Sequence, residues 1–367
     1  MYGTMNTVII CFFLKYRSRG RASAEFLSWS GLNWAFVMVE AIFRFKNEYF
    51  IIMLSVEDAK NLEDLFKIKS AIMSKKLEDV GGLNGVMEIL DLSLDARKHE
   101  DYKKSLKIIE PLMESLKNQP FVSNDTVAYV SISDRMEKIL YHQYYQTSSN
   151  RQVKNISEVC PMDWIYRQYA LVLLDLGDNA NALKAATKAV QWNPSSAKCR
   201  VMLALFCGAA GRWEDSLKET ISAMKFAYLS TDLVHCFRSL RDYFIYKDLL
   251  KEAVYCSFLR ARFSSSHDVL CEILNDMMML AKGMDFDYKS VSDEAMAESC
   301  KKFGITPGFN PEVIAIAKRC YEEAFLAGKG EKANYFAQIM SDLKTEQEKR
   351  NAISLRQLVE RSRNIVS

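Results

Sequence analysis

Apolar residues through the middle of this chain recur three and four positions apart, the spacing that gathers them on one side of an α-helix. Residues 163–196 contain two such runs. Gly177 and Asp178 mark a tight turn between them, Ala170, Ala182 and Ala189 are small where two helices must touch, and Trp192, Asn193 and Pro194 close the unit. The layout returns without a gap in residues 197–230, with Leu203, Ala204, Gly211, Trp213 and Ala223 at corresponding places. A helical hairpin repeating about every 34 residues is therefore predicted, each copy burying its neighbour's apolar side.

The pattern weakens on both sides. A three-residue spacer leads to a third copy at residues 234–267, where Phe237, Leu240, Phe244 and Ala253 recover the period. Arg241 stands there in place of a small residue, and Asp248 in place of the turn glycine, so local packing should differ. Residues 86–94 and 102–116 predict an earlier hairpin turning at 98–101, with Pro111 kinking or interrupting its second helix. Residues 121–133 are β-branched and polar by turns, and predict an extended linker without a strand partner. Residues 285–311 read as an interruption with one short helix at 295–303. A last hairpin begins at Pro311, carries Ile314, Ile316, Ala317 and Cys320, breaks at Gly328 and Gly330, and resumes with Ala333, Phe336 and Met340. Residues 344–363 predict a charged closing helix, with Ile353, Leu355 and Leu358 as its sparse apolar positions, protecting the last apolar face.

The first 52 residues stand apart. They hold 12 aromatic residues, a short apolar run at 8–14 followed by Lys15, Arg17, Arg19 and Arg21, and an apolar patch at 34–43. A secretory signal would place its basic residues first, and neither run reaches the ~18 to 20 residues that span a bilayer. We expect residues 1–52 to be an upstream extension outside the fold, with order beginning after Met53. Ser55 and Asp58 there have capping-box spacing, and Ala59, Leu62, Leu65 and Phe66 follow at helical intervals. The alternative is that this apolar and basic segment tethers the protein to a membrane.

Composition narrows the function. The chain of 367 residues is 49% hydrophobic and 26% charged, ordinary for a folded soluble protein. Its net charge of +3 is matched by the excess in residues 1–52, six Lys/Arg against three Asp/Glu, so the body is neutral and nucleic acid is not an expected partner. Nine scattered cysteines without a Cys-x-x-Cys pair suit a reducing, cytoplasmic setting, and four unpaired histidines do not suggest a metal. The chain contains no P-loop, Gly-x-Ser-x-Gly elbow or His-Glu-x-x-His. The expectation is a non-enzyme without a cofactor.

With these residues laid out, the chain resembles the tetratricopeptide-repeat superfamily, most strongly over residues 163–230, and in general look is similar to uncharacterised bacterial repeat proteins. The resemblance implies an all-α solenoid of helical hairpins, a right-handed superhelix with a C-terminal capping helix. Its parts would be an atypical extension (1–52), an N-terminal helical region with a degenerate repeat and linker (53–162), the repeat array (163–267) and a C-terminal helical region (268–367). It further implies a concave groove lined by first helices that binds a peptide or extended protein segment. Groove positions carried over by offset are Trp164, Arg167 and Leu171, then Lys198 and Val201, then His235, Arg238 and Asp242. Members that clamp a terminal carboxylate need Asn and Arg where this chain has Leu171, Met202 and Ser239, so that specialised activity is not expected.

Overall fold

The computed structural model describes residues 43–45, 48–50, 62–117, 119–146, 150–264, 266–282 and 291–352. One unit runs to Met73 and a second starts at Ser74. The described part of the first contains strands β1 (Phe43–Phe45) and β2 (Glu48–Phe50), paired antiparallel, and the start of helix α1 (Leu62–Leu77). Most of the expected extension, and the Ser55 and Asp58 cap, lie outside the described residues.

The second unit is almost wholly helical. Its elements are α2 (Gly82–Lys98), α3 (Tyr102–Ser115), β3 (Val127–Val130), α4 (Arg135–Tyr141) running into a π-helical turn (His142–Gln146), and β4 (Gln152–Asn155). Then come α5 (Met162–Asp175), α6 (Asn179–Trp192), α7 (Ala197–Ala209), α8 (Trp213–Phe226), α9 (Ser230–Tyr246) and α10 (Leu250–Phe263). The last are α11 (His267–Lys282), α12 (Asp293–Lys302), α13 (Pro311–Leu326) and α14 (Gly330–Ala352). The protein is all-α in class, with fourteen α-helices among the described residues.

Five hairpins, α2–α3, α5–α6, α7–α8, α9–α10 and α13–α14, share one turn. In each, the second residue past the first helix is left-handed: Glu100 (φ 60°), Gly177 (80°), Gly211 (74°), Asp248 (58°) and Gly328 (64°). The next N–H donates to the carbonyl five residues back, as Asp101 to Ala96 (3.0 Å), Asp178 to Leu173 (2.9 Å), Arg212 to Cys207 (2.8 Å), Leu249 to Phe244 (2.8 Å) and Lys329 to Ala324 (3.0 Å). This closure satisfies carbonyls that a helix end leaves open, and glycine is its cheapest residue. Asp248 performs the turn without one, at a conformational cost of about 1 kcal/mol. The expected spacer before the third copy is absorbed, because α9 starts at Ser230.

Packing follows the small residues. Ala170, Ala182 and Ala189 are completely buried between α5 and α6, and a Cβ on Gly208 would sit 3.2 Å from the Trp213 ring, which closes α7 onto α8. Each of α6, α8 and α10 packs on the helix that follows it, and α2, α5, α7 and α9 touch in succession. Phe206, Phe237, Phe244, Phe258 and Phe263 are fully buried between these layers, each worth roughly 2–3 kcal/mol against exposure. At the hairpin α9–α10 two arginines enter the core instead. Arg241 is 11% and Arg260 3% exposed in the side chain, and α11 answers them with Asp276, which pairs with both, and Glu272, 3.2 Å from Arg260.

Two expectations need correcting. The segment 121–133 is not partnerless: β3 pairs in parallel with β4, from Val127↔Gln152 to Val130↔Asn155, and α4 supplies the crossover that parallel strands require. All four β3 residues are buried, and the Ser131 N–H reaches the Trp192 carbonyl at the end of α6 (2.8 Å). Pro111 does not interrupt α3, which runs through it. The closing hairpin also does more than cover an end. Phe336 and Ile339 of α14 join a central core with Met136 and Leu140 of α4, and α14 packs on α9 and α10. Tyr335 donates to Asp134 (2.8 Å), Arg135 pairs with Glu331, and the Asn310 amide donates to the Lys225 carbonyl (3.1 Å). Residues 353–363 of the expected closing helix lie outside the described residues.

Candidate functional site

Positions three and four apart on a helix share a side, so a common outer surface on α5, α7 and α9 follows from sequence spacing alone. Trp164, 39% exposed, with Lys198, His235 and Arg238 stands in solvent, while Arg167, Leu171, Val201 and Asp242 are half-buried. None of the eight belongs to the fully buried core. Leu171 and Val201 lean on core clusters with part of their surface. Met202 and Ser239, at the places where a carboxylate clamp would be built, are buried.

Two of these cations, Arg167 and Lys198, act on buried acids. Asp163, in the first turn of α5, is pushed upward in pKa by burial, against hydrogen bonds from Asn193 and Ser131 and the charge of Arg167. Asp232, in the first turn of α9, is pushed up to about 6 by burial, opposed by the charge of Lys198 on α7. Arg167 and Lys198 therefore already spend part of their field on the protein's own carboxylates. His235 holds its proton more weakly than usual, first through partial burial, then through Arg238 and Arg260, with Glu272 acting the other way. Asp242 is engaged sideways by Arg241 at 2.7 Å, so its carboxylate is the least free of the predicted set.

Sequence reasoning missed a buried clasp under this surface. One Asn193 amide nitrogen donates to Glu137 Oε2 (2.8 Å) and Asp163 Oδ2 (3.1 Å), and Ser131 donates to the other oxygen of Asp163 (2.9 Å). Ser195 donates to the Glu137 carbonyl (3.0 Å), so α4 is pinned to the joint between α6 and α7. Burial pushes Glu137 up to about 7, against hydrogen bonds from Asn193 and Ser196 and with Asp134 and Asp163 adding to the rise. Asn193 was legible as a closing residue of the repeat, but nothing local in the sequence identifies Glu137 as its partner.

The thiols are chemically quiet. Burial raises Cys160 and Cys236 well above an ordinary thiol and pushes Cys199 up to about 12, which keeps each protonated at neutral pH. Among the described residues no group of three or more His, Cys, Asp or Glu side chains could hold a metal, and no helix is long and apolar enough to cross a membrane. No family model matches the chain, and no curated protein matches it.

Proposed function

We propose that the protein is a non-catalytic scaffold of the tetratricopeptide type, a helical-hairpin solenoid in the cytoplasm that binds a peptide or extended protein segment. The concave face lined by the first helices α5, α7 and α9 is the binding face. The observation that carries this reading is that five hairpins close with one turn, while all eight positions assigned to the face stay out of the buried core. Side chains not needed for stacking are available for recognition. Arg238 and Lys198 offer charge-assisted hydrogen bonds to an acidic segment, and the exposed Trp164 offers a broad rigid contact. The eight described cysteines are all free thiols, in keeping with a reducing compartment.

Affinity capture from lysate with the wild-type protein and with the Arg167→Glu/Arg238→Glu variant tests this. Partners retained by the wild type and lost from the variant support it. No partner above background, or the same partners on both, sinks it.

A further inference from the structure

A cavity of about 720 Å³ lies between the strand pair β3–β4, the π-helical end of α4 and the hairpin α5–α6. It shares no residue with the eight positions of the face on α5, α7 and α9. Its volume falls in the range of small-molecule sites, which are roughly 300–1,000 Å³. Its walls exist because the parallel pair stands off from the hairpin. The Ser131–Trp192 backbone bond anchors one end of β3 to α6, and the crossover through α4 brings an aromatic turn across the other side.

The lining has a specific chemistry. Six aromatic residues border it, Phe121, Tyr129, Tyr141, Tyr145, Tyr166 and Trp192, of which Tyr145 and Tyr166 are half-buried and the other four buried. Two pairs of them are already in mutual contact, Phe121 with Tyr129 and Tyr141 with Tyr145, each at 5.3 Å between centroids. Among the described residues the charged side chains in the lining are two cations, Arg151 just before β4 and Lys188 on α6, and no carboxylate lines it. Arg151 lies close enough to Tyr141 for its charge to oppose the rise that burial causes in that phenol. Lys188 is solvent-exposed and makes no ion pair among the described residues.

The neutral polar groups are mostly committed elsewhere. Gln119 is bonded through both ends of its amide to the Phe121 backbone (2.8 and 2.5 Å), Ser123 accepts the Tyr129 N–H (2.9 Å), and the Tyr145 hydroxyl sits between the Pro194 carbonyl (3.2 Å) and Arg200 (2.8 Å). A neutral polar ligand would therefore find few partners, whereas a ring would lie against aromatic residues and an acid would meet the positive charges of Arg151 and Lys188.

We propose that this cavity binds a small aromatic anion, its ring among Tyr129, Tyr141, Tyr166 and Trp192 and its acid group toward Arg151 and Lys188. The site acts independently of the face on α5, α7 and α9. Titration calorimetry with matched probes decides it: 2-naphthoate, 2-naphthylmethylammonium and acetate. The expected result is that 2-naphthoate binds, the ammonium of the same ring is at least roughly tenfold weaker, and acetate alone does not register. In Arg151→Glu/Lys188→Glu, whose exposed positions leave the helical circular dichroism and melting temperature near wild type, 2-naphthoate should lose at least roughly tenfold in affinity. The Arg167→Glu/Arg238→Glu variant should bind it as the wild type does, which separates this proposal from the scaffold reading.

Absence of 2-naphthoate binding up to about 5 mM, equal affinity for the two naphthyl probes, or full affinity in the folded charge-reversed variant overturns the proposal. So does capture of a peptide with an aromatic C-terminus at a concentration where 2-naphthoate shows nothing, since the occupant would then be a protein segment.

Discussion

The hairpins α5–α6 and α9–α10 are built on the same turn and differ in what seats their helices. In the first, Ala170 and Ala189 let the backbones approach; in the second, Arg241 and Arg260 stand at the same distances from the turn residue. Alanine seats ask nothing of the next element beyond an apolar side, so α7 can follow α6 much as α9 follows α8. Arginine seats demand counter-charges, and α11 carries them in Glu272 and Asp276. Like units therefore stack on like until α9–α10, where the chain needs one particular successor. Buried pairs of this kind add little net stability, but they are costly to break.

Four experiments would break or sharpen this contrast. The largest effect is expected from Ala189→Arg, which places a guanidinium in a completely buried alanine seat with no acid supplied for it. Overpacking and an unpaired charge together should cost more than about 4 kcal/mol, seen as loss of the cooperative urea transition. Next, Glu272→Gln/Asp276→Leu removes the α11 partners of the arginine seats, leaving Arg241 only Asp242, and should cost about 2–3 kcal/mol in urea unfolding, moderated because both acids are partly exposed. Replacing both arginines by alanine should cost less than removing the two acids.

The third experiment is a pH series, because the buried acids Glu137 and Asp232 and the arginine-paired Glu272 should respond with opposite sign. Glu137 is pushed up to about 7, from an ordinary value of 4.5, and Asp232 to about 6, from 3.8. Between those limits the folded chain holds protons that the unfolded chain has released, so these groups make stability fall as pH rises from about 4.5 to 7. Glu272 behaves in reverse. Burial alone would raise it, but its hydrogen bond to Arg260 and the charges of Arg260, Arg238 and Arg241 hold it below the ordinary value, so its contribution is lost as pH falls. Glu137→Gln should flatten the decline in melting temperature between pH 5 and about 7, and the Glu272 variant should leave that decline intact. The smallest effect is expected at the turns: Gly211→Ala should cost about 1 kcal/mol and Asp248→Gly should gain about 0.5 kcal/mol, both measurable by urea midpoint.

Much of this fold was legible because its determinants are local. Glycines two residues past a helix, alanines at helical spacing and Pro311 at a helix start each act within a turn or two of their own position, so hairpin placement followed from the sequence. Asp248 was legible as a departure, and its left-handed backbone explains how the turn survives it. Helix α11 was not singled out, although Leu270, Ile273 and Met277 have the spacing to predict it. What escaped were pairings across long separations. Strand β4 carries a single strongly apolar residue, Val153, so nothing marked it as the partner of β3. The second arginine seat escaped for a similar reason: Arg260 is an ordinary polar letter until α11 is seen beside it. On the candidate face the offset rule placed all eight residues outside the buried core, but it did not foresee that Arg241 would occupy Asp242.

The attachment of Asp134 and Arg135 to Tyr335 and Glu331 joins residues about 200 positions apart. A nascent chain leaving the ribosome can build its early hairpins as they emerge, since each needs only its neighbour. Helix α4 has to wait, made long before the hairpin that will cover it. During that delay Met136 and Leu140 lack their final shelter, and a chaperone that guards greasy surface during translation would find its target there.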